Sequence, residues 1–449
     1  MQLSHMMSAT SVAFDDPNLV ASAGLVPVLA LARRCGLHQM AWAGLSVPSP
    51  NAAVKVAAVV AGMVAGADSI DDLDRLRHGG MGRLFCGIRA PSTLGTFLRA
   101  FTFGHVRQLD KVAATVLVNL AGHTPLLGDA DRLCFVDVDD TVKQTYGYAK
   151  QGAGYGYTHI KGLNALIGVL STPTSAPVIA ATRLRKGSTS SPRGAASLVA
   201  STLATAKRCG AAGLIVVRMD SAFYVTDVVA AVGRADARFS ITARLNASVR
   251  AAIATVDEDA WTGIHYPNAV WDDQAGGWVS DAEVAEIRYT AFASRGPARQ
   301  VTARLIVRRV KLLPPAGPDQ PALVEGYRYH AVFTDSPLTM LQAETCHRGH
   351  AIVEHVIADL KAGPLAHLPS GKFAANAAWL ALAAIAHNLT RAAGCLASVF
   401  HASARPATLR DQLINVPARL ARSSRQISLH LPTDWRWEHP WRALIAAIS

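Results

Sequence analysis

The order of strand-like and helix-like segments in the middle of the chain leaves few folds open. Three apolar runs come first, separated by turn residues: "LCFVDVD" (133–139), "NALIGVLST" (164–172) and "PVIAATRLR" (177–185). Runs of this length between Gly-rich turns are typical of neighbouring strands. The sequence therefore predicts a three-stranded meander at this point.

Helical and strand patterns alternate after the meander. The segment "RGAASLVASTLATAKRCG" (193–210) has helical periodicity and ends in glycine, and "SAFYVTDVVAAVGRA" (221–235) is helical again. Between them, "LIVVRMD" (214–220) is predicted to be a short buried strand. Strands followed by alternating strand and helix indicate a mixed sheet covered by helices, which is an α/β fold.

The flanking regions have different patterns. Helical spacing precedes this unit, β-type alternation follows it, and helical spacing then returns. A long β-rich stretch between two α/β portions indicates an inserted subdomain. We therefore divide the chain into five regions. They are a helical N-terminal region expected to contact DNA (1–127), a first core part (128–236), a β-rich insertion (237–335), a second core part (336–400) and a basic C-terminal region (401–449).

Charge and hydropathy restrict the partners. Lys and Arg number 44 against 32 Asp and Glu, a formal net charge of +12 that attracts polyanions, with nucleic acid ahead of acidic lipid. Apolar stretches such as "AANAAWLALAAIA" (374–386) are shorter than the roughly 18–20 residues needed to span a bilayer, so we expect core helices. The N-terminal residues lack the basic patch and apolar run of a signal peptide, and a cytoplasmic protein is expected.

Two of the predicted strands end in carboxylates. The stretch "RLCFVDVDDTVKQT" contains Asp137, Asp139 and Asp140, and Asp220 closes the later strand. Side chains alternate along a strand, so Asp137 and Asp139 share one face and Asp140 lies on the other. Such crowding is costly unless a metal ion, a basic ligand or solvent compensates it. If the two strands are neighbours, their acids meet at one edge and form half of a metal site.

A third acid is offered by "ETCHRGHAIVEHVIADLK" (344–361). If this segment is one helix, His347, His350, Glu354 and Lys361 lie on one face. Carboxylate oxygens suit Mg²⁺, and two such ions roughly 3.5–4 Å apart promote phosphoryl transfer. Zinc on the His/Glu face is an alternative, although no further His or Cys cluster completes a ligand set. Taken singly, acids at strand ends are more often turn and cap residues.

These residues belong to a longer series of motifs that resembles the DDE transposases of bacterial insertion sequences in the IS1380 group, related to the IS4-like enzymes. The motifs occur in order along nearly the whole chain: "DLDRLRHGGMGRLF", "APSTLGTFLRAF", "DVDDTV", "GYGYTHIKGLNAL", "RLRKG", "VVRMDSAFY", "HRGHAIVEHVIADLK", "AIAHNL" and "TLRDQLINVPARLARSSRQISLHLP". The resemblance implies an α/β fold of the RNase H-like type, a mixed sheet with helices that is interrupted by a β-rich insertion and preceded by a helical domain.

The resemblance also implies a catalytic triad of Asp139, Asp220 and Glu354 that holds two Mg²⁺ ions, with Mn²⁺ as a possible substitute. Asp139 matches the first acid because that acid stands in an Asp-x-Thr context, while Asp137 on the same face is an alternative ligand. Related enzymes carry a Tyr-x2-Arg-x3-Glu-x6-Lys pattern around the last acid. This chain keeps Glu354 and Lys361 but has His347 and His350 in place of Tyr and Arg.

The implied activity is cleavage of insertion-sequence ends and joining of the freed 3′-OH to target DNA. The implied partner is double-stranded DNA bound by a homodimer, without a membrane. A domesticated DNA-binding protein that has lost catalysis and a nuclease that cuts without joining are the alternatives. Trp261, Trp271 and Trp278 either stack on a flipped base or pack in the core. The predicted DNA contacts are Lys361, His350, Arg348, Lys161, Arg183, Arg185, Lys186, Arg193, Arg419, Arg422 and Arg425.

Overall fold

The computed structural model describes residues 10–264, 282–311, 326–423 and 426–448, together with Ser4, Met7 and two short strands at Trp271–Asp272 and Gly277–Trp278. The structure contains a mixed sheet with helices packed against it, as the sequence predicts. This architecture is compatible with an RNase H-like fold.

The N-terminal region is helical after a short strand, β1 (Leu19–Val20). Its helices are α1 (Leu25–Arg34), α2 (Leu37–Gly44), α3 (Ala52–Val64), α4 (Met81–Leu84), α5 (Pro91–Arg99) and α6 (Phe103–His123), with a 3-10 helix at Asp71–Arg77. Thr102 begins α6 with a capping box, in which its hydroxyl accepts from the His105 N–H and His105 accepts from the Thr102 N–H. Apolar residues of α3 such as Val56, Val59 and Val60 are fully buried.

The predicted meander is confirmed by the strand pairing. Its strands are β2 (Leu133–Gln144), β4 (Lys161–Thr172) and β5 (Ser175–Lys186), with the two-residue strand β3 (Gly154–Tyr155) beside β4. The next elements are α7 (Ala195–Arg208), β6 (Leu214–Met219), α8 (Thr226–Arg234) and β7 (Arg238–Thr242). β4 is antiparallel to β2 and β5, whereas β6 is parallel to β2 and to β7. The strand order β5-β4-β2-β6-β7 therefore places β2 and β6 side by side.

The described part of the β-rich region extends this same sheet. Its elements are α9 (Ala247–Ile253), β8 (Thr262–Ile264), β9 (Trp271–Asp272), β10 (Gly277–Trp278), β11 (Ala282–Ala291), β12 (Val301–Lys311) and β13 (Tyr327–Thr334). β13 pairs antiparallel with β7, and β12, β11 and β8 follow outward. The β-rich residues thus share hydrogen bonds with the core sheet.

The C-terminal part returns to helix and ends in a small sheet. Its elements are α10 (Met340–Arg348), a 3-10 helix at Gly349–Ala351, α11 (Ile352–Lys361), α12 (Phe373–Ala397), α13 (Val399–Ser403), α14 (Pro406–Leu409), a π-helix at Arg410–Ile414, β14 (Ala418–Ser423), β15 (Gln426–His430) and α15 (Glu438–Ile448). β14 pairs with both β1 and β15, so the first and last parts of the chain share one sheet.

Helix α12 packs against β5 and α6 in the centre of the molecule. Within the described residues it is the one helix long and apolar enough to cross a membrane, yet 89% of its 18-residue apolar window is buried in the protein. Burial of this kind fits the core helix that the sequence predicts for residues 374–386.

The segment 344–361 differs from the single helix assumed from the sequence. α10 ends at Arg348, and a 3-10 turn at Gly349–Ala351 connects it to α11. The turn lies against the side chain of Arg218. A Cβ atom at Gly349 would come within 2.6 Å of the Arg218 guanidinium. A larger residue at this position would have to displace the Arg218 guanidinium, which is held by Asp137.

Candidate active site

Strands β2 and β6 bring Asp139 and Asp220 side by side, at the point where β6 ends. Their parallel register pairs Asp137 with Arg218 and Val138 with Met219. Asp139 and Asp220 are the next residues along the two strands, and Asp220 begins the turn that follows β6. The two carboxylates therefore lie on neighbouring strands. Only Asp220 follows the end of its strand as predicted; Asp139 lies inside β2, because that strand continues to Gln144 through its pairing with β4.

Asp139 is half-buried beside like charges. Its carboxylate accepts a hydrogen bond from the backbone N–H of Asp140 at 2.7 Å. Burial is the main cause that raises the pKa of Asp139 to about 6, and the negative charge of Asp220 raises it further. The nearby His350 lowers this pKa but does not offset the burial. Asp139 is thus the strand carboxylate whose charge the protein compensates least.

Asp137 lies on the same face as Asp139 but is fully buried in an ion pair. Arg218 donates from Nε to Oδ1 at 2.8 Å and from Nη2 to Oδ2 at 2.7 Å. His350 Nδ1 lies 2.9 Å from the same Oδ1. Arg218 also donates to the carbonyl oxygen of Cys346 at 2.8 Å, which ties the end of α10 to the sheet. A bidentate Arg–carboxylate pair of this kind leaves Asp137 little capacity for a metal ion.

Asp140 points to the opposite face and is also neutralised. Arg185 pairs with its carboxylate, and Asn164 donates to it at 2.8 Å. Arg185 is buried and donates further, to the carbonyl oxygens of Ser191 and Arg193, both at 2.8 Å. The guanidinium therefore fixes the turn after β5. The prediction that Arg185 contacts DNA does not fit this placement, because its donors are directed to the protein interior.

Glu354 reaches the sheet on α11, which packs against β2 through the buried residues Val353, Val356 and Ile357. The Glu354 side chain itself is exposed. Lys361 follows it by two turns on the same face of α11, and His350 precedes it in the 3-10 turn. The charge of His350 acts on Asp139, and that of Asp139 acts on Lys361. The residues that flank Glu354 in sequence, His350 and Lys361, thus both interact electrostatically with Asp139.

Lys361 is influenced by an acidic neighbour, Asp139, and a basic neighbour, Lys143. Burial is the main cause that lowers its pKa, the charge of Lys143 lowers it further, and Asp139 opposes both effects. Lys143 is on β2, four residues after Asp139, so the two side chains share one face of the strand. Positive charge therefore continues along β2 from the acidic edge.

His347 is a structural residue in this arrangement. Its Nδ1 lies 2.9 Å from the hydroxyl of Ser240, and its Nε2 lies 2.9 Å from the hydroxyl of Thr242. Burial lowers the pKa of His347 to about 3, so the imidazole is neutral at physiological pH. His347 therefore links α10 to β7 and does not carry positive charge toward a phosphate.

The donor set fits a hard divalent cation in part. Asp139 and Asp220 offer carboxylate oxygens that Mg²⁺ prefers, and a cation between them would relieve the repulsion that raises the pKa of Asp139. Within the ranges that the structure describes, however, no group of three or more His, Cys, Asp or Glu is close enough to hold a metal ion. Asp139 and Asp220 are therefore neighbouring carboxylates with no third donor grouped with them in the part of the chain that the structure describes.

The other predicted DNA contacts are dispersed. Lys186 and Arg193 are exposed on the turn after β5. Arg183 is half-buried toward α6, and its Nη1 donates to Ser197 at 3.3 Å. Arg348 donates from Nε to the Glu344 carboxylate at 2.9 Å.

The basic C-terminal residues lie on the small sheet. Arg419 and Arg422 are exposed on β14, and Arg419 Nε is 3.1 Å from Asp16. Trp261 is half-buried, with the Arg309 guanidinium 4.2 Å from its ring, which supports a packing role. Arg425 and the side chains of Trp271 and Trp278 lie outside the described residues.

Sequence reasoning missed Arg218. An arginine inside the apolar run "LIVVRMD" was a signal, because a buried guanidinium needs a carboxylate partner. The candidates were the acids of "DVDD", and the strand register selects Asp137 among them.

Comparisons with known proteins identify the family of the chain. A comparison with curated proteins gives no match. A family model described as "Transposase DDE domain group 1" matches residues 5–449, which is nearly the whole chain. Enzymes of this family act on DNA and generally use divalent metal ions. The chain belongs to the DDE transposase family.

Proposed function

We propose that the protein is a Mg²⁺-dependent transposase that cuts insertion-sequence ends and joins them to target DNA. The observation that carries the proposal is the contrast along β2: Asp137 and Asp140 have buried arginine partners, whereas Asp139 faces Asp220 with a raised pKa. A divalent cation from outside the protein would compensate the charge of an acid in this state. Asp220 at the end of β6 lies beside it, and Glu354 on α11 is the acid that would join them in holding that cation.

The proposed ligands are Asp139, Asp220 and Glu354. Two Mg²⁺ ions held by them would polarise the scissile phosphate, activate the attacking oxygen and stabilise the leaving oxygen. In cleavage, water attacks phosphorus and one DNA strand ends as a free 3′-OH; in joining, that 3′-OH attacks a target phosphodiester and its oxygen replaces the leaving one. No covalent bond to the enzyme is required. Lys361 would hold a phosphate next to the reacting one.

The fold supports this assignment. The order β5-β4-β2-β6-β7, with three antiparallel strands followed by two parallel ones, is that expected of an RNase H-like core. The motif series favours the IS1380 group within the family. The reaction handles two DNA ends, so we propose a homodimer on double-stranded DNA, acting at the nucleoid in the cytoplasm.

The test is cleavage and strand transfer on DNA that carries the flanking element ends, with Mg²⁺ or with EDTA. The wild-type protein should cut and join only with Mg²⁺. Asp220→Ala and Glu354→Ala should each lower cleavage more than about 100-fold, because losing even a residue that only supports a metal ligand costs up to about 100-fold. Both variants should keep DNA binding. The matched control is Asp227→Ala, which removes an exposed acid on α8 and should retain activity.

Three outcomes contradict the proposal in different ways. A wild-type protein that binds element ends but never cuts is a DNA-binding protein without catalysis. One that cuts but gives no joined product is a nuclease. Full activity in Asp220→Ala or Glu354→Ala would mean that these acids are not the ligands.

A further inference from the structure

The loop between β2 and β4 presents a cluster of exposed aromatic side chains. Tyr146, Tyr148, Tyr155 and Tyr157 have between 61% and 102% of their surface exposed. Tyrosine rings normally bury most of their area in a core or an interface. Four of them on one loop therefore indicate a surface that receives a partner.

The loop is held by backbone hydrogen bonds to other elements. The N–H of Gln151 donates to the Gly371 carbonyl at 2.9 Å, and its side-chain oxygen accepts from the N–H of Phe373 at 3.1 Å. The N–H of Gly187, just after β5, donates to the Gly152 carbonyl at 3.0 Å. Gly152 has a φ of +79°, which favours glycine at this turn. The tyrosines thus project from a loop anchored at its centre, which reduces the entropy lost on binding.

One of these tyrosines, Tyr157, reaches β2 beside the proposed active site, on the face that carries Asp140. The Tyr157 hydroxyl donates to Asp140 Oδ1 at 3.4 Å. Burial first, and then the charges of Asp140 and Asp139, raise the pKa of Tyr157 to about 12. The same negative edge that would bind the metal ions is therefore within electrostatic reach of this ring.

Basic residues lie between the tyrosines and the N-terminal helices. A groove of about 770 Å³ is lined by Tyr146, Lys143, Lys150 and Arg99, with Asp71 as the acidic member of its lining. The Lys161 ammonium is 5.5 Å from the ring centre of Tyr148. Cations that follow a groove beside exposed aromatic rings are the combination that binds a single nucleic-acid strand, with phosphates on the cations and bases stacked on the rings.

We propose that Tyr146, Tyr148, Tyr155 and Tyr157 form a tyrosine platform that stacks unpaired bases next to the scissile phosphate, while the strand's phosphates follow the groove past Lys143. This inference rests on the proposed function, since it places the platform at the cleavage site. A ring can stack only on a base that has left the duplex. The platform therefore binds DNA whose end is opened, and the lysines and net charge favour DNA over a protein partner.

The experiment compares two fluorescent probes by anisotropy: a blunt duplex, and the same duplex with a short single-stranded thymidine tail. Wild-type protein should bind the tailed duplex more tightly, by roughly 5- to 150-fold for each stacked base. The double variant Tyr146→Ala/Tyr148→Ala should lose most of this preference, and Tyr146→Phe/Tyr148→Phe should keep it because a phenyl ring also stacks. Trp42→Ala, which removes an exposed ring on α2, is the matched control.

Separate measurements check that the variants are folded and that the proposed function is present. Both tyrosine variants should melt like wild type, because these rings are exposed. Equal affinity of wild type for the two probes, or an undiminished preference in the Ala variant, would overturn the platform even if Mg²⁺-dependent cleavage is present. Tail preference without any cleavage would instead overturn the proposed function and leave the stacking surface standing.

Discussion

Asp137 and Asp140 meet their counter-charges inside the protein, whereas Asp139 between them meets another acid. Asp137 is held by Arg218 on the neighbouring strand, and Asp140 by Arg185 on the opposite face. Asp139 lies beside Asp220 and has a pKa raised to about 6. Three identical side chains within four positions therefore have different chemistry because of what the neighbouring strands place against them.

This difference separates stability from function. A buried ion pair contributes little net stability, since desolvation offsets most of the attraction, but removing one partner leaves an uncompensated charge. An acid with a raised pKa costs free energy in the folded state at neutral pH. Substitutions only two residues apart should therefore have opposite effects on the free energy of unfolding.

The largest effect on the free energy of unfolding is expected at Asp137 and Asp140, the acids with arginine partners. Asp137→Ala or Asp140→Ala would leave Arg218 or Arg185 buried without its carboxylate, at a cost of about 3–5 kcal/mol in the free energy of unfolding. Urea unfolding measures this loss. In the double variant Asp137→Leu/Arg218→Met the stability should largely return, since both charges are gone; a double variant as unstable as the single one would disprove the pairing argument.

The unpaired acid should behave in the opposite way. Asp139→Asn should increase the free energy of unfolding at pH 7, on the order of 1–3 kcal/mol, because it removes a carboxylate whose pKa is raised to about 6 from an ordinary 3.8. The sign follows from linkage: the folded protein holds this proton up to about pH 6, whereas the unfolded chain releases it near pH 4. Wild type therefore loses stability as pH rises through that window.

The measurement is denaturant unfolding of wild type and Asp139→Asn at several pH values in EDTA. The two proteins should be equally stable below about pH 4 and should diverge up to about pH 6. A destabilised Asp139→Asn at pH 7 would show that Asp139 has a cation partner in the fold, as Asp137 does.

The smallest effect is expected at the exposed pair between Arg419 and Asp16. The Arg419 side chain is 63% exposed, so Arg419→Ala should change stability by less than about 1 kcal/mol. If Arg419 contacts DNA, the variant should instead reduce the slope of log affinity against log salt by about one ion. A salt titration of DNA binding checks this, with Arg442→Ala on α15, another exposed arginine, as the comparison.

The elements that could be predicted from the sequence are those specified locally. The meander 133–185 and the helix of 193–210 follow from hydrophobic runs and periodicity within each segment. Strand alternation likewise places Asp137 and Asp139 on one face. Their different charge environments depend on Arg218, which is 81 residues from Asp137 in sequence and meets it only through the β2–β6 register.

The break in the helix 344–361 was missed for the same reason. Local periodicity supports a continuous helix, but the 3-10 turn at Gly349 accommodates the Arg218 guanidinium from another strand. The ion pair and the turn are one packing arrangement, and neither part can be found from its own segment. This arrangement also places His350 against Asp137 and starts α11 on the face toward Asp139.

The most direct test of the central claim is a metal-specificity switch at Asp139 with Asp137 as its control. A thiolate ligand binds Mg²⁺ poorly and softer ions better, so Asp139→Cys should abolish cleavage of element-end DNA in Mg²⁺ and recover it in part in Mn²⁺. Asp137→Cys, whose side chain lies against Arg218, should show no such recovery. Rescue by Mn²⁺ in Asp137→Cys but not in Asp139→Cys would contradict the account and make Asp137 the metal ligand.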